Sequence, residues 1–388
     1  MSGNAWLTFR VISTLLTFAV AMTILFLPAP RRHPKPQTIG LLRVLLATLV
    51  CSGIFMIQVR LHHRMGITFF GLVNLAFLGI SIVIPALGAA VLLAGRRRHN
   101  RAPYRRLSPA TTGIALLALL LAPIGAYARF IEPWWLKLEV AEGEIPAARQ
   151  GETPITIGVL ADIQTDAITQ HEHAAIDRLM ALSPDIILLP GDYYQGEPAD
   201  WPNHRDAFRA LFNRLRAPGG VFAVQGDCDT PHRLIDLFTG TPVRVLHNEI
   251  ERTRIRDRKV TLCGIELKYR SSGSQQAMID LLNAPGDDDI RILLAHRPDP
   301  ILHLPTNSRI DLTVAGHTHG GQIALPFFGP PLTCTDVPRN VARGGLNAYY
   351  GNAIYISRGV GHEKGQAPRI RFLARPEISF ITLTTSQP

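Results

Sequence analysis

The sequence predicts a protein of two parts, a helical membrane region followed by an α/β domain. Residues 1–131 contain fourteen Lys or Arg, no Asp or Glu, and four long apolar runs. Residues 154–388 instead alternate short β-rich runs with helical stretches, which is typical of an α/β sheet. At roughly 150 residues for one domain, a chain of 388 residues is also too long for a single ordinary domain.

The apolar runs predict four transmembrane helices, at residues 6–27, 39–59, 66–94 and 110–131. Each is long enough to cross roughly 30 Å of hydrocarbon. A cleaved signal peptide is the alternative for the first run, but that run is longer than a usual signal sequence and no clear cleavage site follows it. Trp134 and Trp135 follow the fourth run, where indole rings would lie at headgroup depth. We therefore divide the chain into an anchor (1–131), a juxtamembrane linker (132–153) and a domain (154–388).

Positive charge in the short loops predicts the orientation, because Lys and Arg resist translocation. The first and third loops carry nine basic residues, against five near the membrane on the other side. The nine are Arg31, Arg32, Lys35, Arg96, Arg97, Arg98, Arg101, Arg105 and Arg106. We expect those loops to be cytoplasmic and the domain extracytoplasmic, in an integral protein of a bacterial inner membrane. The spans hold no acid or charge pair that would suggest a transport pathway.

Composition excludes several function classes. The net charge of +10 would suggest nucleic acid as a partner, but the anchor alone carries +14 and the rest of the chain −4, so nucleic-acid binding loses its support. The four cysteines contain no C-x-x-C pair, so they form neither a disulfide framework nor a zinc-knuckle pattern. Phosphate-loop, serine-elbow and H-E-x-x-H motifs are missing from the sequence.

Five predicted strands each end in a side chain that can bind metal. The strand patterns at 155–160, 185–189, 220–224, 290–295 and 312–315 lead to Asp162, Asp192, Asp227, His296 and the pair His317 and His319. One such residue alone would usually be a turn or cap residue. Carboxylates and imidazoles that converge on one sheet edge are what paired divalent cations need, with a shared carboxylate bridging ions about 3.5 to 4 Å apart.

These blocks resemble the calcineurin-like metallophosphoesterases, whose motifs read D-x-H, G-D, G-N-H-[DE], H and G-H-x-H in this order. The resemblance covers about residues 154–388. It is closest to the membrane-anchored, YkuE-type branch, because that branch has similar phrases to LAHRPD at 294–299, GHTHGGQ at 316–322, ISRGVG at 356–361 and RPEI at 375–378. It implies a four-layer α/β/β/α sandwich with two divalent metal ions, Mn, Fe, Zn or Mg.

The resemblance also implies a ligand set for each ion. The first ion would lie among Asp162, Gln164, Asp192 and His319. Asp192 would bridge to the second ion, which Asp227, His296 and His317 would also bind.

Three residues depart from the family pattern. Gln164 stands in place of His, and its amide oxygen suits hard cations better than soft ones. Asp227 stands in place of Asn, and its charge would strengthen cation binding while repelling phosphate. Cys228 stands in place of the His thought to protonate the leaving group, and a thiol is a poor substitute.

The remaining candidates would assist catalysis or bind substrate. Cys228, Asp229 and His232 are the catalytic candidates, with His232 close enough in sequence to Asp229 to be a substitute acid. Arg297 and Arg358 could bind a substrate phosphate through bidentate hydrogen bonds, or could pair with acids.

We therefore expect a membrane-bound hydrolase of phosphate mono-, di- or pyrophosphate esters that uses metal-activated water, with the bilayer and a lipid-linked ester as partners. One alternative is a non-catalytic sensor or scaffold that binds metal or a phospho-ligand without turnover. Another is an enzyme like the UDP-2,3-diacylglucosamine pyrophosphatase of lipid A synthesis, although that reaction needs a cytoplasmic site and conflicts with the predicted orientation.

Overall fold

The computed structural model describes residues 3–26, 36–62, 64–99, 107–149, 151–267, 273–286 and 288–384. It divides the chain into two compact units. The first contains residues 1–129 with 365–368, and the second contains residues 130–364 with 369–388.

The described part of the first unit is helical. Its helices are α1 (Gly3–Phe26), α2 (Pro36–Leu61), α3 (Phe69–Leu78), α4 (Ile84–His99) and α5 (Pro109–Phe130). The Thr68 side chain caps α3 by accepting a hydrogen bond from the Gly71 N–H. A π-helical segment, Gly79–Val83, joins α3 directly to α4.

Of the four predicted transmembrane helices, two are long and apolar enough to span a membrane in the described part of the chain. Among the described residues, Phe69–Arg96 and Pro109–Trp134 are long and apolar enough to cross a bilayer, whereas Val11–Ile24 and Leu45–Leu61 are apolar but shorter. The prediction of four transmembrane helices is therefore not confirmed. The loop cations at 31–35 and 101–106, on which the orientation depends, lie outside the described residues.

The second unit contains two six-stranded mixed sheets, so the predicted α/β class is confirmed. Its strands are β1 (Lys137–Glu144), β2 (Ile155–Val159), β3 (Ile186–Leu189), β4 (Val221–Ala223), β5 (Val243–Val245), β6 (Glu249–Ile255), β7 (Arg258–Gly264), β8 (Asp289–Leu294), β9 (Leu312–Ala315), β10 (Gly345–Tyr349), β11 (Asn352–Ile356) and β12 (Glu377–Thr384). The strand order is β1-β12-β2-β3-β4-β5 in one sheet and β10-β11-β9-β8-β7-β6 in the other. Strands β2 to β5 are parallel, as are β7, β8, β9 and β11.

Residues 132–153, suggested by the sequence as a linker, contain β1. This edge strand pairs in parallel with β12. Its sequence, KLEVAEGE, is half charged, and all of its residues except Gly143 are half-buried or exposed. An edge strand of this kind lacks the continuous apolar run that identifies a central parallel strand such as β3.

Three clusters of buried side chains order the layers of the second unit. Apolar residues from the inner faces of both sheets form one cluster, with Ile157 from β2 and Leu262 from β7. The opposite face of the first sheet packs against α6 (Gln170–Met180), α7 (Trp201–Phe212) and α8 (Pro231–Phe238). The opposite face of the second sheet packs against α9 (Gly273–Leu282) and α10 (Arg339–Ala342). Helices, sheet, sheet and helices therefore follow one another, and the carboxyl ends of the parallel strands carry the predicted ligands.

Candidate metal centre

Five of the seven predicted metal ligands have backbone conformations that are rare for residues with a side chain. The φ angle is +44° at Asp162, +37° at Gln164 and +59° at Asp192. It is +69° at His317 and +49° at His319. Such angles are sterically disfavoured and cluster at functional sites, where the surrounding structure enforces them. The strand-end loops are therefore shaped to direct these side chains.

Two glycines allow these loops to approach one another. A Cβ atom at Gly226 would lie 2.1 Å from the backbone nitrogen of Asp192. A Cβ atom at Gly316 would lie 2.5 Å from Asp162 Oδ2. Because neither distance leaves room for a side chain, the glycines that precede Asp227 and His317 are required by the packing around the site.

Asp227, His296 and His317 form one cluster of candidate ligands. Asp227 Oδ2 lies 3.1 Å from His296 Nε2 and 2.7 Å from His317 Nδ1. One ligand atom from each of the three residues lies within 4.8 Å of the others. The carbonyl oxygen of Pro190 lies 2.7 Å from His296 Nδ1, which orients the ring so that Nε2 faces the cluster. The structure therefore brings together the three residues that the resemblance gave to the second metal.

Asp162 and Asp192 add two carboxylates to this cluster. Asp192 Oδ2 lies 3.6 Å from His296 Nε2, and Asp162 Oδ1 lies 3.9 Å from His296 Nδ1. Asp162, Asp192 and His296 also have ligand atoms within 4.8 Å of one another. Because both groups contain His296, the five side chains form one continuous site.

The packed carboxylates perturb the ionisation of the site. Burial raises the pKa of Asp162 to about 8, although His296 opposes this shift. Burial lowers the pKa of His296, but the Asp192 charge and a hydrogen bond with Asp227 outweigh it and raise that pKa to about 10. Burial acts to raise the pKa of Asp227, yet hydrogen bonds from His296 and His317 hold it well below its usual range. The site therefore favours positive charge, which protons or divalent cations can supply.

Gln164 presents an amide oxygen suited to a metal ion. Its Oε1 is buried and accepts no hydrogen bond from the described residues, whereas its Nε2 donates to Glu363 Oε2 at 3.0 Å. The other oxygen of Glu363 accepts a hydrogen bond from Gln195 Nε2 at 2.5 Å. A buried acceptor without a donor is costly unless a cation or water satisfies it. Glu363 therefore fixes the orientation of the Gln164 amide and leaves Oε1 as its open acceptor.

Sequence reasoning missed Glu363, which belongs to no motif block. The signal that could have found it is the tail phrase ISRGVG, which ends at Gly361. The Gly361 N–H donates to the Asp162 carbonyl oxygen at 2.7 Å, so the residues that follow Gly361 must pass close to Gln164.

His319 is supported by a buried arginine that the sequence analysis also missed. Arg371 Nη2 lies 3.1 Å from His319 Nδ1, and the same guanidinium donates to the carbonyl oxygens of Gly361 and Ala374. Burial and the positive charge of Arg371 hold the pKa of His319 well below its usual range. His319 is therefore neutral, the form in which imidazole binds metals, but it belongs to neither of the two clusters above.

The three catalytic candidates have different environments. Burial and the nearby charge of Asp192 hold the pKa of Cys228 well above its usual value, so its thiol stays protonated. Asp229 accepts hydrogen bonds from the backbone N–H groups of Asp192, Tyr193 and Gly226, so its carboxylate fastens two ligand-bearing loops together. His232 is exposed in the first turn of α8.

Both candidate phosphate-binding arginines make contacts with protein groups. Arg358 Nη1 donates to Glu377 Oε2 at 2.7 Å, which is the acid-pairing alternative raised by the sequence. Arg297 Nη2 lies 2.9 Å from His317 Nε2 and donates to the Cys334 carbonyl oxygen at 2.7 Å. Arg297 therefore orients His317, with Nδ1 of that ring turned towards Asp227.

The two-sheet architecture and the Asp- and His-rich strand-end loops define a metallophosphoesterase domain. Residues 155–321 match the calcineurin-like phosphoesterase family. These residues therefore carry a calcineurin-like metallophosphoesterase domain, and the recognition based on the motifs is confirmed. The family uses a dinuclear centre of divalent metal ions, and the oxygen and imidazole donors described above fit such a centre.

Three relatives show what the chain is similar to. It is 28% identical to the metallophosphoesterase YkuE of Bacillus subtilis, over 67% of this chain and 90% of the relative. It is 28% identical to the phosphodiesterase YaeI of Escherichia coli, over 66% of this chain and 92% of the relative. It is 23% identical to the UDP-2,3-diacylglucosamine pyrophosphatase LpxG of Chlamydia trachomatis, over 69% of this chain and 95% of the relative.

Proposed function

We propose that the chain is a membrane-bound phosphoester hydrolase that cleaves phosphate mono-, di- or pyrophosphate esters, with a lipid-linked ester as its substrate. The observation that carries this proposal is the continuous site of three carboxylates and two imidazoles, Asp162, Asp192, Asp227, His296 and His317. The relatives support the reaction type, because two of them are named as a phosphodiesterase and a pyrophosphatase.

The donor atoms assign roles to the residues. Divalent ions bound here would stabilise charge on a phosphoryl oxygen and lower the pKa of a water molecule. Asp192 would be the carboxylate shared by both ions, while the Pro190 carbonyl oxygen orients His296 and Arg297 orients His317. Asp229 keeps the loops of Asp192 and Asp227 in register through its backbone hydrogen bonds. These residues bind and position, and none of them has to act as a nucleophile.

The leaving group is the part of the reaction that this chain assists least. Cys228 occupies the position of the usual proton donor, and the raised pKa of its thiol makes it a weak acid. His232, the other candidate acid, is exposed on α8. We infer a preference for leaving groups that need little protonation, as in a pyrophosphate or an ester of an acidic alcohol.

Membrane attachment is supported by the two apolar helices Phe69–Arg96 and Pro109–Trp134. We propose that they anchor the chain in a bacterial inner membrane, with the phosphoesterase domain outside the cytoplasm. An enzyme held at the bilayer encounters its substrate most often when that substrate is confined to the same bilayer. A pyrophosphatase like LpxG is the alternative if the domain is cytoplasmic, and a reporter fused after Pro388 distinguishes the two orientations.

A non-catalytic sensor is the second candidate function, favoured by the replacements Gln164 and Cys228. Hydrolysis of bis(p-nitrophenyl) phosphate by the purified full chain with Mn²⁺ tests it. We expect turnover that falls at least about 10³-fold in Asp192→Asn, because a shared ligand is lost. Asp206→Asn, an exposed acid on α7, is the matched control and should retain full activity. Metal binding without turnover would favour the sensor.

A further inference from the structure

An apolar hairpin beside the metal centre remains without a role in the chemistry above. Residues 325–332, here called the apolar tip, read LPFFGPPL. Phe327 is fully exposed, Phe328 is 57% exposed, and Leu325 and Leu332 are also exposed. Four large apolar side chains within eight residues form a patch that water-facing loops normally avoid.

The apolar tip has a defined shape. Leu325 and Gly329 exchange two backbone hydrogen bonds, each 2.9 Å long, which close a tight turn around residues 326–328. At the apex, Phe327 has a φ of +64°, a left-handed conformation that is disfavoured for an aromatic residue. Nothing in the described part of the chain buries the Phe327 ring. A contact outside the protein would explain both the strain and the exposure.

Both ends of the hairpin are fastened at the metal centre. On its N-terminal side, Gln322 follows the His317–His319 block, and its Oε1 accepts a hydrogen bond from the Glu363 N–H at 2.9 Å. On its C-terminal side, the Cys334 carbonyl oxygen lies 2.9 Å from His317 Nε2. Any partner of the apolar tip is therefore held close to His317, one of the candidate metal ligands.

Charges around the apolar tip favour an anionic surface. The Arg339 guanidinium lies 4.5 Å from the centre of the Phe328 ring. Arg339 and Arg343 are both exposed, and Asp336 is the only acid in residues 325–343. Exposed aromatic side chains with arginines at their edge are typical of segments that enter the interface of an anionic membrane.

We infer that the apolar tip inserts into the surface of a lipid bilayer and that the metal centre acts on phosphoesters presented by that bilayer. A bilayer is the partner that the chain itself indicates, because two of its helices are long and apolar enough to span one. The substrate class follows from the proposed function, whereas the insertion does not depend on it. The substrate is thus an amphiphilic phosphoester, with its acyl chains in the membrane and its phosphate at the metal centre.

Insertion of the apolar tip into a bilayer can be measured by fluorescence, without an assay of hydrolysis. The full chain carrying Phe327→Trp is reconstituted in vesicles of phosphatidylcholine and phosphatidylglycerol, and fluorescence is compared with and without brominated acyl chains. Leu281→Trp, at an exposed apolar position of α9, is the matched control, and the wild type gives the background of the four native tryptophans. We expect bromine quenching at 327 to exceed that at 281 about twofold.

Equal quenching at the two positions would overturn the inference. So would a blue shift of the Phe327→Trp emission that is already present in detergent and grows with protein concentration, because a second copy of the chain would then cover the tip. Melting temperatures of the two variants should match that of the wild type, since both positions are exposed.

The substrate class is tested with two chromogenic esters on the same vesicles. One is bis(p-nitrophenyl) phosphate and the other is the p-nitrophenyl ester of dioleoyl phosphatidic acid. We expect Phe327→Ser with Phe328→Ser to reduce hydrolysis of the lipid ester about tenfold and to leave the soluble ester nearly unchanged. Equal loss on both esters would contradict the inference. Hydrolysis of neither ester by the wild type would instead reject the proposed hydrolase, while the quenching result would still decide insertion.

Discussion

The two halves expected for the metal centre are built from different chemistry. On one side, Asp227 contacts His296 and His317 directly, so charge and imidazole nitrogen provide the binding. On the other side, Gln164 would contribute a neutral amide oxygen, and its amide is held by Glu363. The first set can bind a cation through its own charge. The second depends more on supporting side chains that keep its donors in place.

The difference in donor atoms predicts that the two metal positions prefer different cations. A soft or borderline cation such as Zn²⁺ prefers imidazole and thiolate ligands, whereas Mn²⁺ and Mg²⁺ accept carboxylate and carbonyl oxygen. Asp162 and Gln164 would give the first metal position two oxygen donors. We therefore expect the two positions to differ in affinity and the Gln164 position to favour hard cations.

The largest expected effect separates the two halves directly. His317→Ala should lower turnover of bis(p-nitrophenyl) phosphate about 10³-fold, because it removes both an imidazole and a partner of Asp227. Gln164→Ala should lower it only about tenfold at saturating Mn²⁺, because a water molecule can replace a neutral amide. Steady-state rates measured across a Mn²⁺ titration would check this. Equal losses in the two variants would remove the distinction between the halves.

The next prediction concerns the leaving group at the edge of the centre. Cys228→His should raise turnover about 10- to 100-fold for esters of weakly acidic alcohols, because an imidazole has a pKa suited to proton donation. For p-nitrophenyl esters the gain should be small, since that leaving group needs little protonation. Rates for a series of aryl phosphodiesters would give the dependence on leaving-group pKa. A slope identical to that of the wild type would show that residue 228 has no part in proton transfer.

The smallest expected effect tests the support of Gln164. Glu363→Ala should weaken the first metal position about tenfold and leave the second unchanged, because supporting residues of metal ligands usually have effects of this size. Isothermal titration with Mn²⁺ measures both affinities. Glu363→Gln keeps the shape but has only one acceptor oxygen for Gln164 and Gln195, so it should be intermediate. A fall in melting temperature without a change in Mn²⁺ affinity would assign Glu363 a purely structural role.

The strands and the candidate ligands that follow them could be predicted from the sequence, because both depend on short local residue patterns. Strands β2, β3 and β9 are short, mainly apolar and largely buried, and the Asp and His residues that follow them lie within a few positions. The rule that parallel strands end at one edge of a sheet groups Asp162, Asp192 and Asp227 at the edge of the first sheet, and His296 and His317 at the edge of the second. Convergence of these two edges on one five-residue site depends on how the sheets pack against each other, which only the family resemblance implied.

What the sequence could not predict depends on contacts between distant segments. Glu363 reaches Gln164 across 199 residues, and no spacing rule relates the two positions. Arg371 supports His319 from outside every motif. Asp229 was a catalytic candidate, but its oxygens accept hydrogen bonds from backbone N–H groups of a neighbouring loop. Side-chain partners of this kind are selected by tertiary packing.

Metal stoichiometry tests the central claim most directly. Apoprotein prepared with a chelator and titrated with Mn²⁺ should bind two ions per chain in two steps of different affinity. Gln164→His, which restores the imidazole of the family pattern, should change only the weaker step and increase its affinity for Zn²⁺ relative to Mn²⁺. A single bound ion in the wild type, or two ions whose affinities Gln164→His leaves unchanged, would contradict a two-metal centre with an amide-ligated half.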